Sequence, residues 1–480
     1  MPNLLDHVVF RAKLQPRAIA SQRIGHQLTF AQMMFLAKRF AAQLRKAGVQ
    51  PGQVVVTAIP DKGLDWLLTL ALFHEGAITC SLGGYEPWKA SFAYDWLVTD
   101  RHDRMPAAPN LIVVEDAPVA PGEDPWALAA RDYPSADSVV RVILTSGTTG
   151  QRKGVPMTIR NILGRVHGSL SIPGGSRILS TLAFSTASDF NAAVKSLVSG
   201  TPHFVSKLPA DTVTLVREHR VECLLGSPAT LSAVVAEVAK SGRKLEGVKA
   251  VRLLGATAPI QLLAAIESLV TRNIFNLYGS TEAGGITACR LNSRTDPAVA
   301  GHPQVDTAVE AVDADDQPLP AGQAGSVRTR AAYMADGYFR DEEATAKVFR
   351  NGWFYSGDTG FVREDGQLVL GGRESEIINA GGVKVDPTVL DRLLQDCPGV
   401  QDAAVFSARG SLGMDLIVAA IVAPDEVDVP MLQEKLRREF GAVRSPSVFV
   451  RTDRIPRNAT GKLMRAELSE RFAAGELTPV

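Results

Sequence analysis

The sequence predicts an α/β protein with largely parallel sheets, and three observations carry that expectation. Amphipathic helices alternate with short apolar strands in the N-terminal half. Residues 295–372 change to short alternating strands split by turns, which reads as a β-rich subdomain. After Gly372 helices and strands alternate again in a smaller α/β unit.

Residues 29–48, TFAQMMFLAKRFAAQLRKAG, carry apolar residues at helical spacing, with Thr29 placed as N-cap and Gly48 as the stop. VVVTAI, 54–59, follows as a buried strand. Two further helix-to-strand alternations are DWLLTLALFHEG into AITCSL and TVTLVREHRVE into CLLGS. Residues 85–137 are rich in Pro, Ala and Asp, and there only LIVVED at 111–116 reads as a strand, so the stretch is expected to be surface connection. The β-rich part contains VEAVDADDQPLPAGQAGSVRTR and GWFYSGDTGFVREDGQLVLGG, and Gly371-Gly372 is a candidate linker. Beyond it, helices are expected near VLDRLL and MLQEKLRREF and strands near AAVFSA and LIVAAIVA.

Composition narrows the function. With 480 residues and 45% hydrophobic content, the chain can bury more than one core. Lysine plus arginine equals aspartate plus glutamate at 51 each, so no global field points to nucleic acid. Cys80, Cys223, Cys289 and Cys397 are far apart and form no CxxC pair, which signals neither a zinc site nor a disulfide framework. The N-terminus has no signal-type apolar stretch, and no segment reaches the ~18 apolar residues of a membrane helix. A soluble cytoplasmic chain with reduced thiols is expected.

The sharpest chemical signal is Thr145-Ser-Gly-Thr-Thr-Gly-Gln-Arg-Lys-Gly154, directly after the apolar strand VVRVIL. Glycines let backbone amides approach an anion closely, hydroxyls add donors and Lys153 adds charge, so a phosphate cradle is the natural reading. It is not the Walker type, because no serine or threonine follows Lys153 to hold magnesium. Alone, such a loop is more often an ordinary turn.

The string resembles the phosphate loop of the adenylate-forming superfamily, which includes acyl-CoA synthetases, peptide-synthetase adenylation domains and firefly luciferase. Four further strings similar to that family's follow in its order: Tyr278-Gly-Ser-Thr-Glu282, Tyr355-Ser-Gly-Asp358, Gly372-Arg373 through Ile377 to Gly381-Gly382-Val-Lys384, and Pro456-Arg-Asn-Ala-Thr-Gly-Lys462. The resemblance implies a large N-terminal domain, residues 1–372, of two parallel-type α/β subdomains plus a β-rich subdomain. A small mobile α+β C-terminal domain, residues 373–480, carries the catalytic lysine.

By that similarity Thr145, Ser146, Gly147, Thr148, Thr149, Gly150 and Lys153 cradle the phosphates of ATP. Tyr278 stacks on adenine beside the Ala256-Thr257 turn, with Gly279 and Ser280 continuing the nucleotide site. Thr281 contacts the α-phosphate and Glu282 holds Mg²⁺, although a carboxylate after a turn also serves as a helix cap. Asp358, acceptor-only when ionised, suits two ribose hydroxyls, and the Arg373 fork reaches the same sugar; by itself SGD is more often an Asp turn. Lys462 bridges the substrate carboxylate and the α-phosphate. Carboxylate attack on phosphorus brings two anions together, so cationic stabilisation is the main requirement and no general base is needed.

The resemblance further implies that a rotation of the small domain presents Gly381 and Gly382 to the thiol of CoA, with the hinge at Ser375, where many relatives carry aspartate or lysine. Lys384 faces either the catalytic centre or solvent. The phosphate loop departs from many relatives in having Gln151-Arg152 where they have proline before the lysine. In Thr181-Leu-Ala-Phe-Ser-Thr-Ala-Ser-Asp-Phe-Asn191, Thr186 stands where many acyl- and aryl-CoA synthetases carry a histidine or bulky aromatic. Phe184, Thr186, Asp189, Ser227, Gly284 and Gly285 are thereby expected at the acyl pocket, with Asp189 either a substrate anchor or an N-cap. The activity implied is conversion of a small-molecule carboxylic acid, ATP and CoA to a thioester through an acyl adenylate. A carrier protein or an amine as acceptor, and a catalytically inert nucleotide-binding homologue, are the competing readings.

Overall fold

The computed structural model describes residues 4–85, 88–104, 110–114, 128–131, 133, 135–145, 152–168, 176–380, 383–409, 415–423, 427–457 and 463–480. Local signals act where the sequence places them. Helix Phe30–Ala47 starts at Thr29, whose hydroxyl accepts from the Gln32 amide while the Gln32 side chain accepts from the Thr29 amide, and it stops at Gly48 with φ 105°.

The first sheet has six strands in the order Leu111–Val113, Trp96–Thr99, Val54–Ala58, Ile78–Ser81, Val139–Leu144 and Gly154–Thr158. All pairs are parallel except the last, a hairpin that brackets the predicted phosphate loop. Trp96–Thr99 corrects the reading of residues 85–137, where only the 111–116 segment was expected to be extended.

The second sheet joins two parts that the sequence separated. Ile178–Ser180, Cys223–Gly226, Ala250–Leu254 and Ile274–Ser280 run parallel. The sheet then continues without a break through antiparallel strands Gly284–Leu291, Val299–Pro303, Leu368–Arg373, Trp353–Val362, Gly325–Ala331 and Thr307–Val312. The β-rich subdomain is thus the antiparallel half of one continuous sheet, and the switch comes at the hairpin that carries Tyr278 to Glu282.

Gly371-Gly372, expected as a linker, instead ends the strand Leu368–Arg373. A Cβ at Gly372 would lie 2.2 Å from the Asp386 carboxylate, which caps helix Pro387–Gln395, so glycine is required there by close approach. A separate apolar core begins at Ile378 and takes in Leu390, Leu394, Val405 and Phe449. Its sheet pairs Asp402–Arg409, Asp415–Val422, Val448–Arg451 and Thr478–Pro479. Among the described residues no helix is long and apolar enough to cross a membrane.

Asp65, Arg141, Asp189 and His203 form a buried polar group in which Asp189 interacts electrostatically with both Arg141 and His203. Burial lowers the His203 pKa to about 4, against an opposing pull from Asp189. Because the folded value lies below the unfolded one, this group's stabilisation is present above pH 6.5 and is lost as pH falls toward 4. Urea unfolding should show about 2 kcal/mol less stability at pH 5 than at pH 7 from this residue, and His203→Gln should remove that component.

Candidate functional site

The strand Ile274–Ser280 turns back at Thr281–Ala283 into Gly284–Leu291, and the turn is where predicted site residues converge. Gly279 lies opposite Gly285 and Ser280 opposite Gly284. A Cβ at Gly279 would meet the Gly284 carbonyl oxygen at 2.2 Å, so this strand pair closes only around glycine.

Tyr278 donates its hydroxyl to Asp358 Oδ2 at 2.6 Å, and its oxygen lies 3.2 Å from Ser356 Oγ. Burial, then the Asp358 charge, hold its phenol well above the ordinary tyrosine range, so it remains a donor. Asp358 and Arg373 sit opposite each other on neighbouring strands, and Arg373 Nε lies 2.9 Å from Asp358 Oδ1. Three residues placed by resemblance around adenine and ribose therefore form one chain of contacts, with both Asp358 oxygens engaged. The Gly255–Thr257 turn leaves Gly255 and Thr257 exposed and Ala256 half-buried.

Glu282 is 8% exposed and accepts from the Tyr338 hydroxyl at 2.8 Å through Oε1. It caps no helix; it occupies the hairpin turn. Lys153 Nζ lies 4.9 Å from the centre of the same Tyr338 ring, so the predicted phosphate-loop lysine and the predicted metal-holding carboxylate approach one tyrosine from different sides. The feet of the loop are tied by the Thr145 amide donating to the Lys153 carbonyl at 2.9 Å. Ser146, Gly147, Thr148, Thr149 and Gly150 lie outside the described residues, as do Gly381, Gly382 and Lys462.

Two contributors had no sequence signal. Arg165, on helix Ile159–Gly168, donates Nη1 to the Thr281 carbonyl and Nη2 to the Glu282 carbonyl, both at 2.8 Å, and Nε to the Tyr333 carbonyl at 2.9 Å. It fixes the turn by its main chain. Burial lowers its pKa to about 10 against the attraction of Glu282, so the guanidinium stays charged at neutral pH. Tyr338 follows a β-rich stretch with nothing in its surroundings to single it out. Arg165→Lys keeps the charge but loses the fork. It is expected to lower the turnover number about tenfold with a smaller change in the ATP KM, as measured by steady-state kinetics.

The expected acyl-pocket residues divide. Gly284 and Gly285 flank the turn, and a Cβ on them would meet Arg165 and Gln304. Phe184 is instead a core residue, its ring 5.8 Å from Trp66 and 5.0 Å from the Arg141 guanidinium. Thr186 and Ser227 are helix N-caps whose hydroxyls accept from the Asp189 and Thr230 amides. Asp189 is neither cap nor free anchor: it is 1% exposed and Lys62 Nζ lies 3.2 Å from its Oδ1. Ser375 and Lys384 are exposed.

Residues 96–339 match the AMP-binding enzyme family and residues 390–462 match the AMP-binding enzyme C-terminal domain, the first alone covering half of the chain. The chain belongs to the AMP-binding enzyme family. Its relatives include a feruloyl-CoA synthase from Amycolatopsis sp, 28% identical over 97% of this chain and 98% of that one. A 2-succinylbenzoate–CoA ligase from Bacillus velezensis is 26% identical over 99% of each chain. The fold of this AMP-binding enzyme matches O-succinylbenzoate coenzyme A synthetase from Bacillus subtilis in complex with AMP, with a TM-score of 0.82, 24% identity and 98% of both chains covered.

Proposed function

We propose that this AMP-binding enzyme is an acid–thiol ligase that joins a small-molecule carboxylic acid to CoA at the expense of ATP. A carboxylate oxygen of the acid bonds to the α-phosphorus while the bond to the departing pyrophosphate breaks. The CoA sulfur then attacks the acyl carbon, AMP leaves, and the thiol proton passes to solvent. The observation that carries this reading is a pair of contact chains, Tyr278–Asp358–Arg373 and Glu282–Tyr338–Lys153, that start four residues apart where parallel strands give way to antiparallel ones. A ligand site at the carboxyl ends of parallel strands is where α/β sheets place one.

Each group has a task suited to its chemistry. The Asp358 carboxylate accepts from ribose hydroxyls, with Arg373 as a second donor at the same edge. Tyr278 offers a ring face to adenine and keeps Asp358 oriented through its hydroxyl. Lys153 and the loop amides hold phosphate oxygens, and the Thr281 hydroxyl donates to the α-phosphate. Arg165 and Tyr338 are positioning residues that fix the Thr281–Glu282 turn. Lys462 supplies the charge that stabilises the approach of two anions.

Glu282 fits magnesium. No cluster of three or more metal-binding side chains exists among the described residues, and Mg²⁺ is commonly held by one or two carboxylates together with substrate phosphates. Tyr338 engages Oε1 and so orients the carboxylate, and the ion bound there would neutralise phosphate charge.

The division into residues 1–372 and 373–480 is part of the same proposal, with Ser375 at the hinge and Gly381 and Gly382 beside the path of the CoA thiol. The four cysteines are free and suit the cytoplasm, where thiols stay reduced. Exchange of labelled pyrophosphate into ATP tests the first half-reaction. Exchange that appears only when an acid from a fatty, aryl and dicarboxylic panel is present supports it, and absence of exchange with every acid counts against it.

A further inference from the structure

Arg252 lies in the middle of strand Ala250–Leu254, is 2% exposed, and its Nε and Nη2 have no hydrogen-bond partner among the described residues. Strand alternation fixes the side it faces. Val251 and Leu253 join the apolar cluster of Leu224 and Ile274, while Ala250 and Leu254 join the opposite cluster of Ile178, Ala192, Cys223 and Leu225. Arg252 shares the second face. Ala192 belongs to helix Ala187–Ser199, so that helix covers this face.

Lys195 follows Ala192 by one helical step and points to the same side. Its Nζ donates to the Val166 carbonyl at 3.2 Å. After burial, the like charge of Arg252 is what lowers the Lys195 pKa. Burial lowers Arg252 itself to about 10, and among the described residues the only group opposing this is the Cys223 thiol, pushed up to about 11 and therefore neutral. The unpartnered Asn191 Oδ1 and Ser196 Oγ lie on the same stretch of helix.

Two cations thus share an enclosed face with no carboxylate paired to either among the described residues. A buried guanidinium without a counter-ion opposes folding, so its anion is expected from elsewhere. The two open nitrogens form the side-on edge of the fork, the same edge through which Arg45 Nε and Nη2 grip both Glu75 oxygens at 2.9 Å. The strand leads into the Gly255–Thr257 turn, which puts Arg252 roughly 10–15 Å of extended chain behind the proposed nucleotide site.

We propose that Arg252, together with Lys195, binds a second carboxylate on the acid that this enzyme activates, so that its substrates are dicarboxylic acids. This rests on the site reading given above: the carboxylate to be adenylated lies at the turn and the second one is held by the Arg252 fork.

The test compares wild type with Arg252→Met, using aliphatic and aromatic dicarboxylic acids beside their monomethyl esters. Both calorimetric binding and acid-dependent pyrophosphate release are read. Wild type is expected to favour a dicarboxylic acid over its ester by about 10²-fold in kcat/KM, because a bound ester would leave the buried donors unpaired. Arg252→Met is expected to erase that preference, to bind ATP unchanged, and to melt at or above the wild-type temperature. Arg252→Lys, a milder change, should retain a reduced preference. The inference falls if no dicarboxylic acid binds, if wild type prefers the esters, or if Arg252→Met discriminates as wild type does. Arg252-dependent binding without pyrophosphate release would uphold the subsite and overturn the ligase reading. Efficient turnover of monocarboxylic acids unaffected by Arg252→Met would do the reverse.

Discussion

Lys462→Ala is expected to slow adenylate formation about 10³-fold while leaving ATP binding nearly unchanged. The substrate carboxylate is ionised at neutral pH and is already a nucleophile, so the barrier comes from driving it onto a phosphorus surrounded by negative oxygens. A cation that reaches this point contributes mainly in the transition state, and its removal appears in the rate rather than in affinity. Single-turnover measurement of acyl adenylate at saturating ATP, alongside equilibrium ATP binding, separates the two. Equal rates in variant and wild type would remove Lys462 from the reaction. A parallel loss of ATP affinity would make it a ground-state ligand.

The second large effect concerns the helix that follows Lys462 in the sequence. Three residues later, Arg465 begins helix Arg465–Ala473 and donates Nε to Glu376 Oε2 at 2.9 Å, Nη2 to Asp391 Oδ2 at 2.6 Å, and Nη1 to the Val405 carbonyl. Asp391 is buried, and burial raises its pKa even with the guanidinium beside it. Arg465→Met strands that carboxylate and should destabilise the C-terminal unit by about 3–5 kcal/mol in urea unfolding. Replacing both partners, Asp391→Leu with Arg465→Met, should recover much of the loss, because two charges are then removed together. A double variant as unstable as the sum of the single ones would mean the network is not coupled. Since the knot also reaches Glu376, one residue from the proposed hinge at Ser375, Arg465→Met should lower adenylation as well.

Legibility followed the range of the interactions. Thr29 and Gly48 act on their own helix, and both were readable because capping depends on residues a few positions apart. Tyr278, Glu282, Asp358 and Arg373 stand in strings whose order is informative, and the fold brings them to one turn. Trp96–Thr99 was missed because four residues between two aspartates carry little pattern. Its extended form is imposed by Val54–Ala58 and Leu111–Val113 on either side. Arg165 grips main-chain oxygens more than a hundred residues away, and no local pattern encodes that contact. At the acyl site the hydroxyls of Thr186 and Ser227 look available in sequence but are used as caps, and Asp189 is held by Lys62. A single arginine in an apolar strand carries no local pattern, and the unpartnered nitrogens of Arg252 arise only from the packing around it.

The most direct measurement of the central claim is acid-dependent pyrophosphate release with ATP and Mg²⁺, run with and without CoA, with the product analysed. The account predicts release that requires an acid, turnover that multiplies when CoA is added, and a thioester as product. A single burst of adenylate that CoA leaves unchanged would contradict the thioester step, and pyrophosphate release independent of any acid would contradict the account as a whole.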